Sequence, residues 1–205
     1  LPISKYFVHV GEHNWVRKNY LRLFDAYVEA RKLGLKHQLI FVGKYANHIK
    51  KTGEQIQGIK FLGWVSDSHL ANLLQGADAF LLPSIHEGFG MPLVEAMACG
   101  IPCITSDRHA PPEVVGDAGL LVDPYDVSDI ANKMIELNDG NTLKTLSKRA
   151  LQKSQDYSWK TSAAKILELY EKHTVFTGKW DFQKAYDIAA YQTVTTTCLL
   201  FANEE

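Results

Sequence analysis

Short apolar runs that close on a glycine, each followed by a stretch of helical spacing, restrict this chain more than any other feature. Tyr6–Val10 ends at Gly11, Gln38–Val42 at Gly43, and Ile59–Leu62 at Gly63. Ala79–Leu82 and Ile101–Thr105 have the same strand length. Between these runs, Tyr20, Leu21, Leu23, Phe24, Tyr27 and Val28 recur at helical intervals and predict a helix running on toward Leu33 and Gly34. Ala46–Thr52 predicts a short helix that stops before Gly53. Ser66 is an N-cap candidate for a helix over Asp67–Gln75. Further helices are predicted over Ser128–Leu137, Leu143–Leu151 and Trp159–Lys172. Alternation of strand and helix across residues 6–125 predicts an α/β fold on a doubly wound parallel sheet. Ligands of such sheets lie outside the carboxyl ends of the strands. The loops after Val10 and Leu82, far apart in sequence, therefore have a common place to meet.

The segment Ser84–Gly100 is the most informative of these units. Its front half is a loop holding Gly88 and Gly90, and its back half reads as a helix opened by Pro92 and closed at Gly100. Strand, glycine loop and helix aim backbone N–H groups and a positive helix end at one spot, which suits a phosphate. Two carboxylates bracket that spot. Glu87 lies in the loop, and Glu95 lies among Leu93, Val94, Ala96, Met97 and Ala98. Helical side chains tilt toward the N-terminus, so Glu95 can reach back to whatever the loop holds. From residue chemistry alone, Glu87 can equally be a solvated loop charge and Glu95 a complement to the helix dipole.

Glu87 and Glu95, with Gly88-Phe89-Gly90 between them and Ala96-Met97-Ala98-Cys99-Gly100 behind, closely resemble the signature of retaining family-four glycosyltransferases of the GT-B fold. The resemblance covers residues 5–172. It implies a Rossmann-like domain, the donor-binding C-terminal half of a GT-B enzyme. It implies that Glu87 faces the donor sugar near the reacting centre and that Glu95 binds the ribose. The backbone through Gly88, Phe89, Gly90, Met91 and Leu93 would contact sugar and diphosphate, with Gly11 in the facing loop. Arg17-Lys18-Asn19 resembles the basic pair that the family places in that loop. Such cations would stabilise the charge that develops on a departing nucleoside diphosphate. Glu12 stands where the family often has Arg. Trp64 and Val65 fall where family members contact the base, although an aromatic packed across the strand end reads the same way. Ser84–Pro92 and Pro112–Asp117 look most like mannosyltransferase members, whose donor is GDP-mannose. Glu113 recurs in the family and is left outside the site.

Composition narrows the remaining choices. With 22 basic and 23 acidic residues the charge nearly cancels, so neither nucleic acid nor an anionic membrane is an expected partner. No apolar run approaches the roughly 18 residues that would suggest a membrane span. An odd count of three cysteines, with no Cys-x-x-Cys, argues against zinc or a disulfide framework, and the expected location is cytoplasmic, with any membrane association supplied by parts not in this chain. There is no Asp-x-Asp, so no metal is expected, nor any cofactor beyond the GDP- or UDP-linked donor. His9, His13 and His86 read as packing or surface residues. The expected partners are a nucleotide sugar and a glycan or lipid-linked acceptor, the latter through an N-terminal domain that the resemblance implies and this chain lacks. Leu1–Ser4 reads as a joint to it. Residues 1–175 read as the donor domain and 176–205 as an extension of unknown role, with Phe182, Ala185, Tyr186 and Ala189 at helical spacing. The alternative to an enzyme is a nucleotide-sugar-binding module that serves a partner chain. A nucleotide-sugar epimerase fits the Glu87 and Glu95 spacing poorly.

Overall fold

The computed structural model describes residues 5–11 and 16–173. Six strands are arranged β1 (Tyr6–Val10), β2 (Gln38–Val42), β3 (Ile59–Gly63), β4 (Ala79–Leu82), β5 (Cys103–Ser106) and β6 (Gly119–Val122) along the chain. In space their order is β3-β2-β1-β4-β5-β6, and every pairing is parallel. The expected doubly wound α/β sheet is present. Alternation along the strands divides the core in two. Tyr6, Val8, Ile40, Val42, Phe80 and Leu82 face one side. Phe7, Leu39, Phe41, Ala79, Leu81 and Ile104 face the other. Both sides are apolar because helices cover both, as a parallel sheet requires.

On the first side lie α3 (Asp67–Gln75), α4 (Met91–Ala98), α5 (Pro111–Val115) and part of α7 (Gly140–Ser154). The second side is covered by α1 (Tyr20–Lys32), α2 (Asn47–Glu54) and α6 (Val127–Glu136). The last described helix is α8 (Trp159–His173). None of the described helices is long and apolar enough to cross a membrane. The expected extension over 176–205, including the helix suggested by Phe182 and Tyr186, lies outside the described residues, as do Leu1–Ser4 and Glu12.

Several boundaries differ from expectation for identifiable reasons. Helix α2 runs through Gly53 rather than stopping before it, because a side chain is what that position cannot hold. A Cβ there would stand 2.7 Å from the Phe61 ring and 3.0 Å from Phe24. Strand β5 starts at Cys103, since Pro102 has no N–H to give and contributes only its carbonyl, to Phe80 N at 2.9 Å. Helix α5 takes two prolines into its first turn, where both are tolerated. Helix α7 begins earlier than its apolar spacing indicated because Asp139 caps it, accepting from Thr142 N at 2.8 Å. Ser66 caps α3 as expected, accepting from His69 N at 3.4 Å.

Candidate functional site

The strand order sets the site. After β1 the chain winds outward to β2 and β3, then returns to place β4 on the other side of β1. The loops leaving β1 and β4 thus run in opposite directions and open a crevice between them. The β1 loop ends in a single 3₁₀ turn, Val16–Lys18, that leads into α1. The β4 loop runs from Pro83 to Gly90.

Two hydrogen bonds lock the two loops together, and a third ties in the loop after β6. Ile85 N donates to Arg17 O at 2.7 Å. The buried Asn19 amide donates to Pro83 O at 2.9 Å and to Pro124 O at 2.6 Å, which adds the loop after β6. Asn19 has a left-handed backbone (φ 61°), a conformation that asparagine tolerates better than most residues. In the sequence Asn19 reads as no more than the tail of a basic pair. Its one signal was an amide residue directly before a helix.

Within this frame the ammonium of Lys18 donates to Glu87 Oε1 at 2.7 Å, and both side chains are buried. The two residues lie 69 positions apart, and the β1–β4 adjacency brings them together. Arg17 stays exposed on the same turn. Behind the pair, His9 is fully buried, and burial pulls its pKa down to about 3. Its Nδ1 lies 2.6 Å from Leu81 O. A carbonyl can only accept, so Nδ1 carries the proton and Nε2 is a bare acceptor. Neither His9 Nε2 nor the buried Tyr20 hydroxyl has a hydrogen-bond partner among the described residues. Tyr20 titrates well above a free tyrosine, chiefly through burial and then through the charge of Glu87. Both looked like ordinary packing residues in the sequence.

The rest of the crevice follows α4. Gly90 precedes it with φ 92°, no side chain caps its N-terminus, and Gly100 ends it with φ 72°. Gly88 and Phe89 are exposed, and Phe89 meets Tyr157 edge-on at 5.7 Å. Met91 is half-buried. Leu93 points wholly into the core, and its N–H is taken by Gly90 O at 2.8 Å. Gly11 donates to Val42 O. On the β3 side Trp64 is 67% exposed, free to lie against a flat ligand, while Val65 packs on the core. Next to Glu87 in the chain, His86 meets His109 edge-on, with ring centroids 4.2 Å apart. No cluster of metal-ligating side chains occurs among the described residues.

Glu95 is the second carboxylate of the crevice. Burial first, and the charge of Asp67 second, push its pKa up to about 6. Its ionised form therefore destabilises the ligand-free fold above pH 6, and that penalty fades as pH falls toward an ordinary carboxylate value. Glu95→Gln should raise the unfolding free energy at pH 7.5 by about 1–2 kcal/mol, from 1.36 kcal/mol per pKa unit. The gain should shrink as pH falls from 7 to 4.5. Urea denaturation across that range checks it. An equal gain at pH 4.5 would exclude titration of Glu95 as the cause.

The family model for glycosyl transferases group 1 matches residues 4–139. The chain is 39% identical over 114 residues to an O-antigen chain mannosyltransferase B of Escherichia coli, covering 55% of this chain and 30% of that protein. It is 30% identical over 175 residues to a phosphatidyl-myo-inositol mannosyltransferase of Mycobacterium leprae, covering 82% and 47%. It therefore spans less than half the length of these relatives. The structure superposes on a sucrose-phosphate synthase of Thermosynechococcus elongatus with a TM-score of 0.70 at 26% identity, over 84% of this chain and 46% of that one. The doubly wound sheet is thus one half of a GT-B architecture, and the match over residues 4–139 places the chain in the glycosyl transferases group 1 family.

Proposed function

We propose that this chain is the donor-binding half of a retaining glycosyltransferase that transfers mannose from GDP-mannose to a glycan or lipid-linked acceptor. The observation that carries the reading is the Lys18–Glu87 contact at the sheet's crossover, with Glu95 on the helix that follows. The basic turn and the two carboxylates suit the charged and hydroxyl-bearing parts of a nucleotide sugar. Arg17 and Lys18 meet the diphosphate and stabilise its charge as the glycosidic bond breaks. Glu87 accepts from the sugar hydroxyls, Glu95 from the ribose, and Trp64 lies against the base. Transfer needs donor and acceptor held together in reacting geometry. The acceptor side comes from the further length that the relatives have.

Two things favour GDP-mannose. The relatives named above are mannosyltransferases. Asp67, whose charge raises the pKa of Glu95, adds a second carboxylate at that end of the crevice. Guanine offers a carboxylate both its N1–H and its 2-amino group, whereas uracil offers one N–H.

Calorimetry with GDP, UDP and GDP-mannose tests the reading. GDP-mannose and GDP should bind, GDP more tightly than UDP, and the affinities should be the same with and without a chelator. Failure of every nucleotide to bind, or a strict need for magnesium or manganese, would refute it.

A further inference from the structure

A net charge near zero averages two unlike parts of the chain. Residues 30–53 hold six of the 22 basic side chains and none of the 23 acidic ones. Lys44 and Lys51 are exposed, in the loop before α2 and on α2 itself. Lys50 turns to the other side of that helix, where Glu54 lies 3.6 Å from its ammonium. The neighbouring helix α1 adds Asp25 and Glu29, which its own Arg22, Arg31 and Lys32 outnumber.

Apolar side chains that the core does not claim stand beside these cations. Val16 is 86% and Leu21 56% exposed, whereas Leu23, Phe24 and Tyr27 are buried. A cavity of about 160 Å³ opens between the two helices. Val16, Leu21 and Arg22 line it from the start of α1, and His48 and Ile49 from α2. Lys51 lies one turn beyond His48 on the same side of α2. A nucleic acid would use such cations and leave the aliphatic side chains in water. A surface with phosphates outside and hydrocarbon beneath uses both.

We propose that the α1–α2 face is a docking surface for a bilayer of anionic lipid. Lys44 and Lys51 meet the headgroup phosphates, while Val16 and Leu21 enter the boundary with the acyl chains. Val16 opens the turn that carries Arg17 and Lys18, so docking holds the mouth of the crevice at the bilayer. Delivery of a lipid-linked acceptor there rests on the donor reading above; the docking does not.

Co-sedimentation of this chain with vesicles tests it. Vesicles of equal parts phosphatidylglycerol and phosphatidylcholine should bind the chain and release it at high salt. Vesicles of phosphatidylcholine alone should bind it at least roughly tenfold more weakly. Lys44→Gln combined with Lys51→Gln should weaken binding to the mixed vesicles by about tenfold or more. Leu21→Ser should weaken it by roughly tenfold, because the hydrocarbon contact of a leucine is lost. Lys144→Gln combined with Lys148→Gln, which removes the same charge from exposed positions on α7, should bind like the wild type. Every variant should keep the wild-type melting curve and GDP affinity. Equal binding to both kinds of vesicle, or an equal loss in the α7 control, overturns the docking. So does unchanged binding by Leu21→Ser, which would leave simple ion exchange, or tighter binding to duplex DNA than to the mixed vesicles. Wild-type protein that docks but binds no nucleotide defeats the donor reading and leaves the docking intact.

Discussion

Lys18→Ala should lower the unfolding free energy by about 3–5 kcal/mol, the usual cost of removing one member of a buried ion pair. Its ammonium is 2.7 Å from Glu87, with only 11% and 8% of the two side chains exposed. Removing it leaves a carboxylate between the sheet and two loops without its buried cation. The double substitution Lys18→Ala with Glu87→Gln should recover most of the loss, because the unpaired charge goes with it. The loss from Lys18→Ala should also be accompanied by loss of GDP binding, and here the double variant should not recover. Urea denaturation and calorimetry separate the two effects. A stability loss under about 1 kcal/mol, or a double variant no better than the single, would show that the pair is not buried in solution.

Gly43→Ala should be nearly as damaging, for a reason of space. Gly43 follows β2 with φ 126°, and a Cβ there would stand 1.9 Å from Gly11 O. That atom is backbone, in a loop fixed by Gly11 N to Val42 O at 3.1 Å, so nothing flexible can yield. Unfavourable backbone costs at least about 1–2 kcal/mol, and displacing a packed strand end adds roughly 1–3. Because Gly11 lies in the loop that faces the donor on the proposed reading, GDP binding should weaken as well. Gly34 supplies the control: its φ is 103°, yet a Cβ there meets nothing within 4 Å. Gly34→Ala should show the backbone cost alone. Equal shifts in urea midpoint for the two variants would mean that the close approach at Gly43 is absent.

The sheet was legible in the sequence because both its faces are buried. Runs such as Leu39–Val42 and Ala79–Leu82 are apolar throughout, which a half-solvated strand would not be. The Glu87 loop, the helix after it and the Ser66 cap were legible from local chemistry, since glycine, proline and serine act within a few residues of themselves. Pairing across the sheet was not. That Lys18 would meet Glu87 depends on β4 settling beside β1, and nothing local to either residue carries strand order. His9 and Tyr20 hid for another reason. Their ring carbons satisfy the apolar periodicity of β1 and α1, and only the polar atoms at their tips differ from a core phenylalanine. Helix α2 continued through Gly53 because two phenylalanines from elsewhere in the chain decide that position.

Asn19 combines demands that individually are easy to meet. Glycine would accept the left-handed backbone but offer nothing to Pro83 O and Pro124 O. Aspartate would turn a negative oxygen toward two carbonyls. Glutamine carries the amide, but one methylene too far out and on a side chain less tolerant of that backbone. Serine could serve one carbonyl and strand the other. The alphabet at this position has in effect a single letter, and the loops after β1, β4 and β6 are spelled together through it.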